Sequence, residues 1–219
     1  MCFSAKASFI TAAGLSLISL LSYKKASPKP RMIPLAISPL FFALQQACEG
    51  IVWLTIAPEN TNNFLYALGM YGFLFFATCW WPIWIPTAFL CAEKSINRKK
   101  WLSMPLYVGC ISALLLLCSW VLKTQGAHVI NHHLDYPVTN YPFDITDPFI
   151  ANIIIALIAG SYCIATITPF FISTISYAWI LGIVVSIGLL ISYIFYYIAF
   201  PSVWCFFAAI SSVLLYMIL

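Results

Sequence analysis

Seven apolar runs, near residues 7–23, 33–57, 64–91, 101–122, 149–170, 178–199 and 202–219, divide this chain, separated by short breaks and by one long polar stretch at about 123–148. A hydrocarbon layer about 30 Å thick needs roughly 20 apolar residues to cross it as a helix rising about 1.5 Å per residue. Each run meets that requirement. The least distinct division is the last, where Pro201 and its neighbours separate the sixth run from the seventh. The reading is therefore an all-α, polytopic bundle of seven transmembrane helices. Of the 219 residues 63% are hydrophobic and 7% charged, with a mean hydropathy of +0.97. Soluble domains carry about 25% charged residues. Too few polar residues remain for a separate water-soluble domain, so residues 1–219 read as a single integral membrane domain.

Orientation comes from the basic residues. Eight of the ten Lys and Arg fall between the first and second runs (Lys24, Lys25, Lys29, Arg31) or between the third and fourth (Lys94, Arg98, Lys99, Lys100). Both loops are expected to be cytoplasmic. That places the N-terminus outside, the segment PENTNN at 58–63 outside, a long loop at about 123–148 outside and the C-terminus inside, in the inner (plasma) membrane of the cell. Only Lys6 and Lys123 run against the bias. The charge follows the first apolar run and no small-residue cleavage site accompanies it, so the run reads as a mature helix and not a secretory signal. Because the cations mark topology, the net charge of +4 does not point to a nucleic-acid partner. The expected partners are the lipid bilayer and a small-molecule or lipid substrate.

Aromatic side chains at the ends of the runs suggest interfacial belts. Trp53, Trp120, Tyr196, Tyr197 and Trp204 are expected at the outer level, and Trp101, Tyr177 and Trp179 at the inner one. The cluster CWWPIWIP at 79–86 also reads as an inner-side belt, with Pro82 and Pro86 kinking the third helix. Six of the eight cysteines (Cys48, Cys79, Cys91, Cys110, Cys118, Cys163) sit in apolar surroundings and behave as small hydrophobes. No CxxC pair, P-loop, dinucleotide fingerprint or serine-protease triad spacing is present.

Ionisable groups inside a bilayer cost several kcal/mol unless paired or wet, so each is a functional candidate. Glu49 is the one acid within a predicted span. Gln45, Glu49 and Trp53 recur at helical spacing and Gln46 precedes Glu49 by three, which draws a polar stripe on the second helix that should face the bundle. At that depth the carboxyl must meet a cation, a metal or a hydrogen-bond donor, or keep its proton. Ser4, Ser8 and Thr11 on the first helix, and Ser202, Cys205, Ala209 and Ser212 on the last, read first as packing residues. In the outer loop His128 and His132 lie four apart, with His133 and Asp135 close by; on a helix two imidazoles would share a face and a metal, but Gly126, Asn131 and Pro137 argue against a helix. A simple bundle can bring Cys2, Ser4, Glu49, His132, His133 and Cys205 to the outer surface. The candidates for catalysis are Glu49, Cys2 and Ser4. Those for metal ligation are His132, His133, Glu49 and Cys205, a set of donors suited to zinc or copper.

The blocks MCFSAKASF at the start, PLFFALQQACEGIVWL at 39–54, HHLDYPV at 132–138 and SVWCFFAAISSVLLY at 202–216 resemble a group of uncharacterised bacterial integral membrane proteins that begin Met-Cys-Phe-Ser. The resemblance covers nearly the whole chain and implies no activity. It implies that the blocks shared with that group contain the polar residues Cys2, Ser4, Gln45, Gln46, Glu49, His133, Tyr136, Trp204 and Cys205. Alkaline ceramidase-like hydrolases also have seven helices, but they hold zinc with helix-borne histidines, which this chain lacks. Two functions stay open: a membrane enzyme or metal-binding protein with its site at the outer leaflet, or a small-molecule transporter, sensor or scaffold with a polar stripe on helix two. A closed cluster at one level favours the first. Polar residues spread through the full depth favour the second.

Overall fold

A computed structural model describes residues 4–56, 64–123, 126–130, 133–136, 147–195 and 200–219, and of 121–123, 200–202, 205–206 and 208 only the backbone. The helices run up and down in chain order: α1 (Ala5–Ala26), α2 (Pro30–Thr55), α3 (Phe64–Ala92), α4 (Ile96–Lys123), α5 (Pro148–Ile172), α6 (Ala178–Phe195) and α7 (Phe200–Ile218). Between α4 and α5 lies a small hairpin of β1 (His128–Ile130) and β2 (His133–Asp135). Six of these helices, α1 to α6, are long and apolar enough to cross a membrane, and α7 is apolar over Ala209–Ile218.

Local chemistry sets the helix ends. Ser4 is extended and its hydroxyl accepts the Ala7 N–H at 3.3 Å, the usual N-cap arrangement. Asp147 caps α5 through the N–H groups of Phe149 and Ile150, with Pro148 in the first turn where a missing N–H costs nothing. Residues Pro30–Met32 form a 3₁₀ turn ahead of the α-helical part of α2, which breaks near Ile37, where Pro39 cannot continue the ladder. One boundary differs from expectation by five residues. Ser95 caps the Arg98 N–H, so α4 begins at Ile96, and Arg98, Lys99 and Lys100 lie on its first turn instead of in a loop.

Small residues govern how closely the first two helices approach. The buried face of α1 is Ser8, Ala12, Leu15, Ser19, Ser22 and Ala26, one residue every three or four, and Gly50 of α2 meets the Phe9 ring so closely that a Cβ there would lie 2.9 Å from it. Close approach of this kind is how helices associate where burial from water gives little drive.

The end of the bundle that carries the basic residues is tied by two latches. Glu93, between α3 and α4, is fully buried. Its carboxylate accepts the N–H groups of Lys94, Ser95 and Thr174 and the hydroxyls of Ser173 and Thr174, at 2.7–3.2 Å. Burial alone would raise its pKa, but the hydrogen bonds from Thr174, Ser95 and Lys94 outweigh it and hold the group at about 2. Lys25 donates to the Tyr216 and Met217 carbonyls and Lys29 to that of Leu219, supplying cations to the last turn of α7 where the carbonyls lack helical partners.

Tryptophan placement departs from the belt reading. Trp101, Tyr177 and Trp179 are exposed, as an interfacial belt requires, whereas Trp120 and Trp204 are buried and donate to Thr78 Oγ1 and the Val185 carbonyl. Trp81, in the middle of α3, is buried too. An indole N–H must find an acceptor wherever water is excluded, and these three find theirs inside the bundle.

Candidate functional site

The polar stripe on α2 is inside the protein. Gln45, Gln46 and Glu49 are 0%, 1% and 0% exposed, in a chain where the surface is mostly apolar side chain. Gln46 Nε2 donates to Glu49 Oε2 at 3.2 Å, and Trp81 Nε1 of α3 donates to Gln45 Oε1 at 2.7 Å. The Trp81 ring stacks on Phe42, one turn from Gln45, with centroids 3.7 Å apart. Each amide then has one end spent and one end over. Gln45 Nε2 and Gln46 Oε1 are buried without a hydrogen-bond partner among the described residues, and so is Ser8 Oγ on the neighbouring α1. A buried polar atom left this way costs about 1–3 kcal/mol.

Trp81 reaches Gln45 because of an irregularity in α3. Residues Phe75–Trp80 form a π turn, in which the Trp81 N–H bonds back five residues to the Phe76 carbonyl. The next residue is Pro82, which has no N–H, so the Ala77 carbonyl loses its helical donor. Tyr162 of α5 replaces it, its hydroxyl donating to Ala77 O at 2.6 Å. The Pro82 carbonyl loses its own donor to Pro86 in the same way, and it rests against Gly109 of α4, where a Cβ would lie 1.9 Å from the oxygen. The two prolines thus fix α3 against α4 and α5, and the wide turn shifts the helical register so that Trp81 enters the bundle. Wide turns of this type recur at functional sites.

The hairpin covers the same end of α2. Leu134 and Tyr136 are buried in one apolar cluster with Val52, Tyr66 and Phe73, and Trp53 packs against it. Tyr136 stacks on Phe73 at 4.5 Å, and the Tyr66 hydroxyl accepts the Ala127 N–H at 2.6 Å. Val52, in that cluster, is one turn beyond Glu49.

The candidate residues fall as follows. Glu49 is buried in the stripe. Ser4 is exposed and its hydroxyl is engaged in capping α1. His133 is half-buried on β2, opposite Ile130. Cys2 and His132 lie outside the described residues, as does the side chain of Cys205, whose backbone belongs to α7. The idea of His128 sharing a helical face with His132 does not hold: His128 is on β1, exposed and opposite Asp135. Burial raises the Asp135 carboxyl, and the nearby charge of His128 opposes that in part. Among the described residues no group of three or more His, Cys, Asp or Glu side chains could hold a metal ion, and Cys48, Cys79, Cys91, Cys110, Cys118 and Cys163 are free thiols.

Three contributors escape the sequence reading: Trp81, which reads as a belt residue, Tyr162, and the latch acid Glu93. A signal for Tyr162 is present, since two prolines four apart in a membrane helix leave two carbonyls that some neighbour must satisfy. Neither a curated protein nor a solved structure matches the chain. The chain belongs to a family of unknown function, DUF6629, whose model matches residues 1–219.

Proposed function

We propose that this is a seven-span protein of the plasma membrane, N-terminus outside and C-terminus cytoplasmic, whose functional centre is Glu49 with Gln45 and Gln46 at the extracytoplasmic end of the bundle. The centre binds a metal ion, zinc or copper, or uses the Glu49 carboxyl as acid or base. One observation carries the reading: a carboxylate and two amides are fully buried on one helix while an amide N–H₂, an amide oxygen and a serine hydroxyl remain without partners among the described residues. Buried polar groups are paired as a rule, and an unpaired set around an acid is a place that receives something polar. Cys2, His132, His133 and Cys205 supply thiol and imidazole for a metal, and Cys2 and Ser4 supply nucleophiles near the start of α1.

The test is elemental analysis of the full chain purified in detergent. The expected result is zinc or copper in stoichiometric amount, lost on Glu49→Gln. A wild-type protein free of both metals, or equal metal in the two proteins, removes the metal reading.

A second reading, a carrier or sensor, has its own support. The buried polar residues of α2 continue inward from Glu49 through Gln45 to Ser38, which accepts the Trp84 indole N–H at 2.9 Å. That is about 16 Å of helix. Uptake of a labelled solute into vesicles that depends on Glu49, with no bound metal, would favour it.

A further inference from the structure

We infer that the basic end of the bundle holds an anionic phospholipid, with its phosphate at the cations on the first turn of α4 and a hydrocarbon chain along the exposed face of that helix. The inference rests on the reading of the chain as membrane-spanning and is independent of the Glu49 centre. Charge at this end is one-sided. Residues 24–31, 93–100 and 173–178 contain eight Lys and Arg and a single acid, Glu93. Glu93 is fully buried, its carboxylate is taken up by backbone N–H groups and hydroxyls, and it pairs with no cation among the described residues. Lys25 and Lys29 are spent on the carbonyls that end α7. Lys24, Arg31, Lys94, Arg98, Lys99 and Lys100 have no side-chain hydrogen bond or ion pair among the described residues, and all but Lys99 are exposed. Anionic headgroups complement such a surface, and each Lys or Arg close to it strengthens binding about fivefold.

Helix α4 adds a lane for the chain. Trp101, Met104, Tyr107 and Ile111 recur every three or four residues and each is more than half exposed, so they form one outward face. Lys100 heads that face, four residues before Met104, with Arg98 and Lys99 on the same turn. From Lys100 to Ile111 is eleven residues, about 16 Å of helix. One leaflet of hydrocarbon is about 15 Å deep, half of the ~30 Å core. A phospholipid with its phosphate at Lys100 therefore lays an acyl chain along the whole stripe. Trp101, Tyr177 and Trp179, all exposed, supply the aromatic rings that favour headgroup level.

The test uses the full chain purified in mild detergent, with phosphatidylglycerol and phosphatidylcholine of identical chains as probes and native mass spectrometry counting retained lipid. The wild type should keep phosphatidylglycerol at least tenfold better than phosphatidylcholine. Arg98→Gln, Lys99→Gln and Lys100→Gln together should erase that preference without lowering the melting temperature in phosphatidylcholine. Arg98→Lys, Lys99→Arg and Lys100→Arg together should keep it. Lys25→Gln with Lys29→Gln should lower the melting temperature in both lipids yet retain the preference, because those amines hold α7. A diazirine on the phosphatidylglycerol chain should label α4 between Trp101 and Ile111. Equal retention of the two lipids, a preference that survives the triple Gln variant, chain label absent from α4, or displacement of the lipid by millimolar glycerol phosphate overturns the inference. A wild type that stays in solution without detergent and retains neither lipid contradicts the membrane-spanning reading itself, a result distinct from retention of both lipids without preference.

Discussion

Replacing Gly109 by Ala probes the junction that positions Trp81. A Cβ at 109 would lie 1.9 Å from the Pro82 oxygen, 2.8 Å from its carbonyl carbon and 3.1 Å from the Ala165 Cβ. To reach even a tight 3.0 Å from the oxygen, α3 and α4 must part by about 1.1 Å. The obstacle is backbone held by the proline-broken ladder, not a flexible side chain, so it cannot swing away. Overpacking of this sort costs about 1–3 kcal/mol and sometimes more, after which the helix recovers up to about 1 kcal/mol from losing a glycine. Gly160→Ala is the matched control, since nothing lies within 4 Å of its Cβ position. It should be neutral or stabilising by about 1 kcal/mol. The assay is unfolding in mixed detergent micelles, followed by tryptophan fluorescence. The glycine gain is common to both variants, so Gly109→Ala should fall below Gly160→Ala by the overpacking cost alone, about 1–3 kcal/mol. Equal stability of the two variants would refute the close approach of Pro82 to Gly109, and with it the account of how α3 is seated.

Tyr162→Phe removes the donor to the Ala77 carbonyl and should cost about 1–3 kcal/mol in the same unfolding assay, with no loss if that carbonyl has another donor. The Glu93 latch predicts a pH dependence of known sign: its carboxyl is held at about 2 against an ordinary 4.5, so the stability it contributes is full above about pH 4.5 and falls away as pH drops toward 2. Glu93→Gln should lower stability at neutral pH and flatten the profile over that interval, and an unchanged profile would show that the latch carries no charge-linked stability. Labelling of single introduced cysteines should find positions 60 and 130 outside and position 97 cytoplasmic, and the reverse pattern would invert the orientation.

The seven helices were legible as apolar runs between polar breaks, and six of them are long and apolar enough to cross a bilayer. The stripe of Gln45, Gln46 and Glu49 was legible as well, since amides and an acid at helical spacing in such a run must turn inward. What could not be read depends on distant partners or on register. Glu93 looks like an ordinary loop acid until Ser173 and Thr174, some eighty residues later, close over it. Trp81, Trp120 and Trp204 have the composition of belt residues, and only the packing of other helices provides the acceptors that draw them in. The α4 boundary moved because Ser95 acts as a cap, a signal present in the sequence but outweighed by the charges beside it. Gly126, Asn131 and Pro137 argue against a helix around the histidines, and the hairpin of β1 and β2 agrees, but which residue faces which across it is set by strand register, which the sequence does not display.

Whether Glu49 serves as an ionisable group or as a packing residue decides the proposed centre, and a pair of substitutions separates the two. Glu49→Gln keeps the shape and the hydrogen bond with Gln46 but removes ionisation, whereas Glu49→Leu removes both. A functional Glu49 predicts that Glu49→Gln unfolds within about 1 kcal/mol of the wild type yet has lost its bound zinc or copper. A Glu49→Gln variant that retains the metal in full, with only Glu49→Leu losing stability, would make the residue structural glue and contradict the proposed centre.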